Sequence, residues 1–124
     1  FRDLRRGALQ VLLSCTLLVV HAASPADAGG RALDILLTND DGYQAPGIEA
    51  VHAALVAAGH RVTMVAPREN QSGASWRIST GALKYAEEAP GIWAVDGSPA
   101  DAVAIGLRVI LADDAPDLVV SGAN

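Results

Sequence analysis

Asp40 and Asp41 stand side by side after an apolar run, Leu33 to Thr38, with Asn39 before them and Gly42 after. Two unit charges about 4 Å apart repel by about 4 kcal/mol at an effective dielectric of about 20. A divalent cation removes that penalty and turns the pair into a binding asset. The same residues also suit a polar turn that caps a following helix, so the pair alone leaves both readings open. Two further segments place small oxygen donors after apolar runs: Arg68-Glu69-Asn70-Gln71-Ser72-Gly73 and Ser121-Gly122-Ala123-Asn124. Carboxylate, hydroxyl and amide oxygens form a hard donor set, suited to magnesium, manganese or calcium rather than zinc or copper. The stretch Gln71 to Ser75 reads either as a loop offering backbone N–H groups to an anion or as ordinary surface. Asn70-Gln71-Ser72 also matches the N-glycosylation triplet, which has meaning only on a eukaryotic secretory route. His52 and His60 read as surface or half-buried helix residues, and Trp76, Tyr85 and Trp93 as packing residues, with base stacking the alternative.

Those donors need elements to hold them. Leu33 to Thr38 is continuously apolar, which suits a strand covered on both faces of a parallel sheet. A helix is expected over 47–58, with Ile48, Val51, Leu55 and Ala58 at helical spacing and Gly59 as its stop. Arg61 to Ala66 predicts a second strand and Pro67 to Ser75 a polar loop. Trp76 to Thr80 and Ile92 to Val95 are short β candidates in a hairpin-like excursion. Ser98-Pro99-Ala100-Asp101 opens a second helix, with Ser98 as N-cap and Pro99 at the first helical position. Val103, Leu107, Ile110 and Leu111 form its apolar stripe, and Leu118 to Ser121 predicts the last strand. The order implies a layered α/β fold with a mostly parallel sheet. Ligands of such sheets sit outside the carboxyl ends of the strands, where all three donor segments fall.

The chain has 124 residues, begins at Phe1, and carries 9 Lys+Arg against 14 Asp+Glu for a formal charge of −5. With 51% hydrophobic residues it is too apolar for disorder. Its acidity argues against a nucleic-acid polymer as partner. Residues 1–28 have the layout of a secretory signal peptide: Arg2, Arg5 and Arg6, then an apolar stretch from Ala8 to Val20, then Ala26-Asp27-Ala28 as a small-x-small cleavage site. The apolar stretch is short against the ~20 residues of a membrane span, so no stable span is expected after cleavage. The product is expected to be exported, either periplasmic or secreted. The single Cys, Cys15, lies in that leader, which excludes an internal disulfide and a Cys-cluster zinc site.

Several blocks together resemble one family. Leu36-Leu37-Thr38-Asn39-Asp40-Asp41-Gly42 followed by Ala45-Pro46-Gly47-Ile48 resembles the opening of the SurE family of survival-protein nucleotidases. Ala66-Pro67 with Asn70-Gln71-Ser72-Gly73-Ala74-Ser75 is similar to its second block. Gly97-Ser98-Pro99-Ala100-Asp101 resembles its Gly-Thr-Pro-x-Asp helix start, and Pro116 to Asn124 its Pro-Asp-Leu-Val-Val-Ser-Gly-Ile-Asn strand. The resemblance implies a Rossmann-like three-layer α/β/α fold and a divalent-metal phosphatase, of 5′-nucleotidase or acid-phosphatase type, acting on nucleoside 5′- and 3′-monophosphates. It implies magnesium or manganese held by Asp40, Asp41, Ser72 and Asn124. Asn39 would lie beside the metal or contact substrate, and Gly73 would belong to the substrate loop. Asp40 and Asp41 would be the catalytic pair, and a carboxylate such as Asp40 suits either nucleophilic attack or metal binding.

Ser98 stands where the family has Thr, Ala102 where Cys often follows, and Trp76 where a small polar residue is usual. Members run to roughly twice this length and tend to be homo-oligomers. Residues 29–124 are therefore expected to be the N-terminal part of a larger domain, incomplete at the carboxyl end, and marginal or aggregating in isolation. Two other classes fit less. A non-enzymatic secreted α/β module binding metal or nucleotide needs only the donors. A phospho-acceptor receiver domain needs an Asp where Ser121-Gly122 stand.

Overall fold

The computed structural model describes residues 30–74 and 77–123. The expected leader, Trp76 and Asn124 lie outside the described residues. The strands are β1 (Asp34–Thr38), β2 (Arg61–Pro67), β3 (Tyr85–Ala89), β4 (Ile92–Val95) and β5 (Leu118–Ser121). They form one sheet in the order β3-β4-β2-β1-β5. β4, β2, β1 and β5 run parallel, and β3 is an antiparallel edge paired to β4.

Side chains alternate across this sheet and build a core on each face. Leu36, Val65 and Val95 point to one side and pack with Ala102 of α2 (Pro99–Ile105). Leu37, Met64 and Ala66 point to the other and pack with Ile48 of α1 (Pro46–Ala57). The expected three-layer α/β/α arrangement with a mostly parallel sheet is thus present. Pro46 opens α1 in its first turn, and Gly59, at φ +89°, follows its end in the left-handed conformation that suits a helix stop.

The sequence reading needs correction in the middle of the chain. Residues 77–80 form no strand. The strand beside β4 is β3, and its five residues are all exposed, so no apolar pattern announces it. Nor is β4 part of an excursion: it pairs parallel with β2 inside the main sheet. Tyr85 and Trp93 face each other across this hairpin with ring centroids 6.2 Å apart, a packing role.

A second correction concerns the helix after Ser98. α2 passes into a π-helical turn over Gly106–Ile110, where Leu111 N bonds to Gly106 O at 2.8 Å. The wider turn shifts the phase of the apolar stripe. Ile105, Ile110 and Leu111 pack on the core, whereas Leu107 is exposed. In β5, Leu118 and Val119 remain 46% and 43% exposed on opposite faces, and only Val120 packs, partly buried, on the Leu37 core. Among the described residues no helix is long and apolar enough to cross a membrane.

Candidate metal and phosphate site

The loop after β1 is shaped from inside by Asn39. Its side chain is buried, donates from Nδ2 to Gly42 O at 3.0 Å, and accepts at Oδ1 from Gly42 N at 3.2 Å. Gly42 completes the turn at φ +109°, a conformation that strains any residue with a Cβ. Asn39, expected beside the metal or on substrate, thus spends its amide on holding the Asp40-Asp41 turn. Asp40 and Asp41 are left half-buried at the carboxyl edge of the sheet.

The loop after β2 is tied to the first by main-chain bonds: Tyr43 N to Pro67 O at 2.9 Å and Gln71 N to Asp40 O at 2.7 Å. These bonds bring the second set of donors to the first. Asp41 Oδ1 accepts from Ser72 Oγ and from Asn70 Nδ2, each at 3.3 Å. Asn70 Oδ1 in turn accepts from Ser72 N at 2.8 Å. Gly73 follows at φ +85°, exposed, with open space where a Cβ would stand.

The third donor segment arrives from β5, whose Ser121 pairs in register with Thr38, and Gly122 N bonds to Thr38 O at 3.0 Å. Ala123 then lies against the start of α1, so closely that a Cβ on Gly47 would sit 2.4 Å from its carbonyl oxygen. The structure therefore brings together Asp40, Asp41, Ser72 and Gly73, and carries the chain past Gly47 to the residue before Asn124.

The donor set fits a hard divalent cation. The Asp41 carboxylate meets the Ser72 hydroxyl with Asp40 next to it in the turn, all oxygen donors, and the only hydrogen bonds to the Asp41 carboxylate among the described residues are long ones. No cluster of three or more His, Cys, Asp or Glu exists among the described residues, so a Cys/His-type site is not built here. His60 is structural, its Nδ1 accepting from Leu33 N at 3.2 Å.

Next to the site, at the carboxyl ends of β2 and β4, lies a pocket of about 340 Å³ lined by Arg68, Gln71, Arg77, Ser79, Asp96 and Ser98 among others. Arg68 is neutralised by Glu88 and Asp96, each at 2.7 Å. Its far wall is held by Asp101, a buried carboxylate that accepts from Ser79 N (2.9 Å), Ser79 Oγ (2.8 Å) and Ser98 N (2.9 Å). Burial raises the Asp101 pKa, but these donors outweigh it and hold the carboxyl below its ordinary value. A second pocket of about 340 Å³ lies on the α1 face among Tyr43, His52, Met64 and Ile92, away from the converging donors.

Sequence reasoning missed Asn70 as a site residue. Only its place two residues before Ser72 could have signalled it, through the local side-chain-to-backbone turns that Asn favours.

Parallel strands with hard oxygen donors gathered at their carboxyl ends define an α/β protein with a polar, oxygen-rich sheet edge. Residues 35–124 match the family described as Survival protein SurE, and the chain belongs to that family. It is 52% identical over 93 residues to the 5′-nucleotidase SurE of Treponema pallidum (strain Nichols), covering 73% of this chain and 50% of that protein. To the 5′-nucleotidase SurE of Rhodopseudomonas palustris (strain BisB5) it is 48% identical over 91 residues, covering 73% and 36%. The crystal structure of the SurE protein from Aquifex aeolicus is similar at a TM-score of 0.69 and 46% identity, over 73% of this chain and 37% of that one. The chain thus spans half or less of the length of these relatives.

Proposed function

We propose that the protein is a divalent-metal-dependent phosphomonoesterase that hydrolyses nucleoside 5′- and 3′-monophosphates. The carrying observation is the meeting of Asp41 and Ser72, from separate loops, 3.3 Å apart beside Asp40 at the sheet's carboxyl edge. The 5′-nucleotidase names of the relatives support the same reading. Asp40, Asp41 and Ser72 would hold magnesium or manganese, with Asn124 as a further ligand from the end of β5. When bound, such a cation neutralises phosphoryl charge and favours attack by water. Asn39 keeps the acidic turn in shape, and Gly73 leaves its backbone open to the phosphate. Asp40 acts either as ligand or as nucleophile; trapping a phosphoryl group on Asp40 would decide for the second.

The pocket at Arg68, Gln71 and Arg77 adjoins the ligand loop through Gln71. Its volume is within the usual range for small-molecule sites, and it is where the nucleoside would rest. We infer further that the leader directs export to the periplasm or outside the cell, that residues 29–124 are the N-terminal part of a longer domain, and that the whole protein is a homo-oligomer. The exposure of Leu118 and Val119 on β5 supports the last two.

The test is phosphate release from adenosine 5′- and 3′-monophosphate with magnesium, with manganese and with chelator. Release that depends on metal is the expected result. No release with any divalent cation would leave a metal- or nucleotide-binding module in place of the enzyme.

A further inference from the structure

We propose that Asn70 is a positioning residue that fixes the Asp41 carboxylate and Ser72 relative to each other for metal binding. The proposal rests on the metal-site reading above. One amide performs both tasks. Its Nδ2 donates to Asp41 Oδ1 at 3.3 Å, and its Oδ1 accepts from Ser72 N at 2.8 Å. Asp41 and Ser72 lie 31 positions apart on different loops. The main-chain bonds that join those loops engage Pro67, Tyr43, Asp40 and Gln71. They orient neither the Asp41 carboxylate nor the Ser72 hydroxyl. Asn70 is the side chain that bonds both the Asp41 carboxylate and the Ser72 main chain, from which the hydroxyl projects.

The geometry also explains why an amide stands here. A carboxylate at this position would accept from Ser72 N but could not donate to Asp41, and would add a third negative charge beside the pair. A lysine or arginine would donate to Asp41 and compete with the cation for it. An amide donates on one side and accepts on the other with no net charge. Groups that orient metal ligands without touching the metal typically contribute roughly 10–100-fold in affinity or activity. An exposed asparagine that only shaped the surface would contribute neither.

The experiment uses three variants of the protein, with Mn2+ affinity by calorimetry, nucleoside 5′-monophosphate hydrolysis at saturating Mn2+, and thermal melting. Asn70→Ala is expected to weaken Mn2+ binding by roughly 10-fold or more while melting close to the parent protein. Asn70→Asp keeps the acceptor for Ser72 N and loses the donor to Asp41, and is expected to lose kcat at saturating metal. A purely turn-forming Asn70 predicts the opposite: Asn70→Asp retains the parent kcat, and Asn70→Ala retains Mn2+ affinity while melting lower. Either result overturns the proposal. Asp41→Asn separates the two levels of inference. If it binds Mn2+ as the parent does, the metal-site reading fails; if it loses Mn2+ while both Asn70 variants keep it, only the role of Asn70 fails.

Discussion

At the amino ends of the strands, Asp34 and Asp117 are each held by a guanidinium; at the carboxyl ends, Asp40 and Asp41 have none among the described residues. Arg61 lies directly across from Asp34 in the β1–β2 register and grips both its carboxylate oxygens. Arg31 pairs with Asp117 at 2.6 Å, and Asp117 also accepts from Asp34 N at 2.9 Å. The Arg61 hydrogen bonds hold Asp34 below the usual carboxylate range, and the Asp34 backbone N–H followed by Arg31 does the same for Asp117. At the carboxyl end, Asp41 meets a hydroxyl and an amide instead. The same sheet thus neutralises one acid pair with its own side chains and leaves the other available to a cation from solution.

The largest expected effect tests that contrast directly. Asp41→Asn should lower phosphate release by roughly 100-fold or more, at or beyond the upper end of what outer partners of a metal contribute. Asp34→Asn, at the other end, should leave the rate near the parent's. Comparable losses in both would erase the distinction. Next comes Gly47→Ala. Its new Cβ would sit 2.4 Å from Ala123 O, overpacking that typically costs about 1–3 kcal/mol. Because Ala123 precedes a proposed ligand, metal affinity measured by calorimetry should fall together with the melting temperature.

Asp101 sharpens the comparison, being held among the described residues by the Ser79 and Ser98 donors instead of by a guanidinium. Asp101→Ala strands the buried N–H of Ser98 and removes the partner of Ser79, and a buried unsatisfied donor costs about 1–3 kcal/mol. Urea unfolding should register the loss. Acid titration should reveal these carboxylates together. Asp34, Asp101 and Asp117 have folded pKa values below their unfolded ones, about 3.9. Their stabilisation is complete above the unfolded value and is lost as pH falls through the folded values. Melting temperature should therefore decline only below about pH 4, and less steeply in Asp34→Asn. The smallest effect is salt. Raising ionic strength should screen the exposed Arg31–Asp117 and Arg61–Asp34 pairs and lower the melting temperature slightly.

Much of this frame is legible in the chain because the relevant residues obey local rules. Leu36 and Leu37 had to be covered on both faces, and they are. Ser98 and Asp101 form the reciprocal cap that the helix start predicts. The convergence of Asp40, Asp41 and Ser72 followed from strand ends sharing one edge. What escaped was set by non-local pairing. β3 is exposed along its whole length and exists because β4 offers it an edge. The exposure of Leu107 depends on a widened helical turn, which period counting does not foresee. Asn70 acquires meaning only when a residue from another loop arrives beside it.

The bonds that clamp the two ligand loops, Tyr43 N to Pro67 O and Gln71 N to Asp40 O, belong to the main chain. At those positions proline is the one residue that abolishes the donor. These two clamping bonds therefore do not depend on which side chains Tyr43 and Gln71 carry. Substitution at Ser72 changes the chemical character of the donor without moving its point of attachment. Under the proposed function, exchanging that hydroxyl for a carboxylate or amide would alter the donor set at one point while these clamping bonds stay in place.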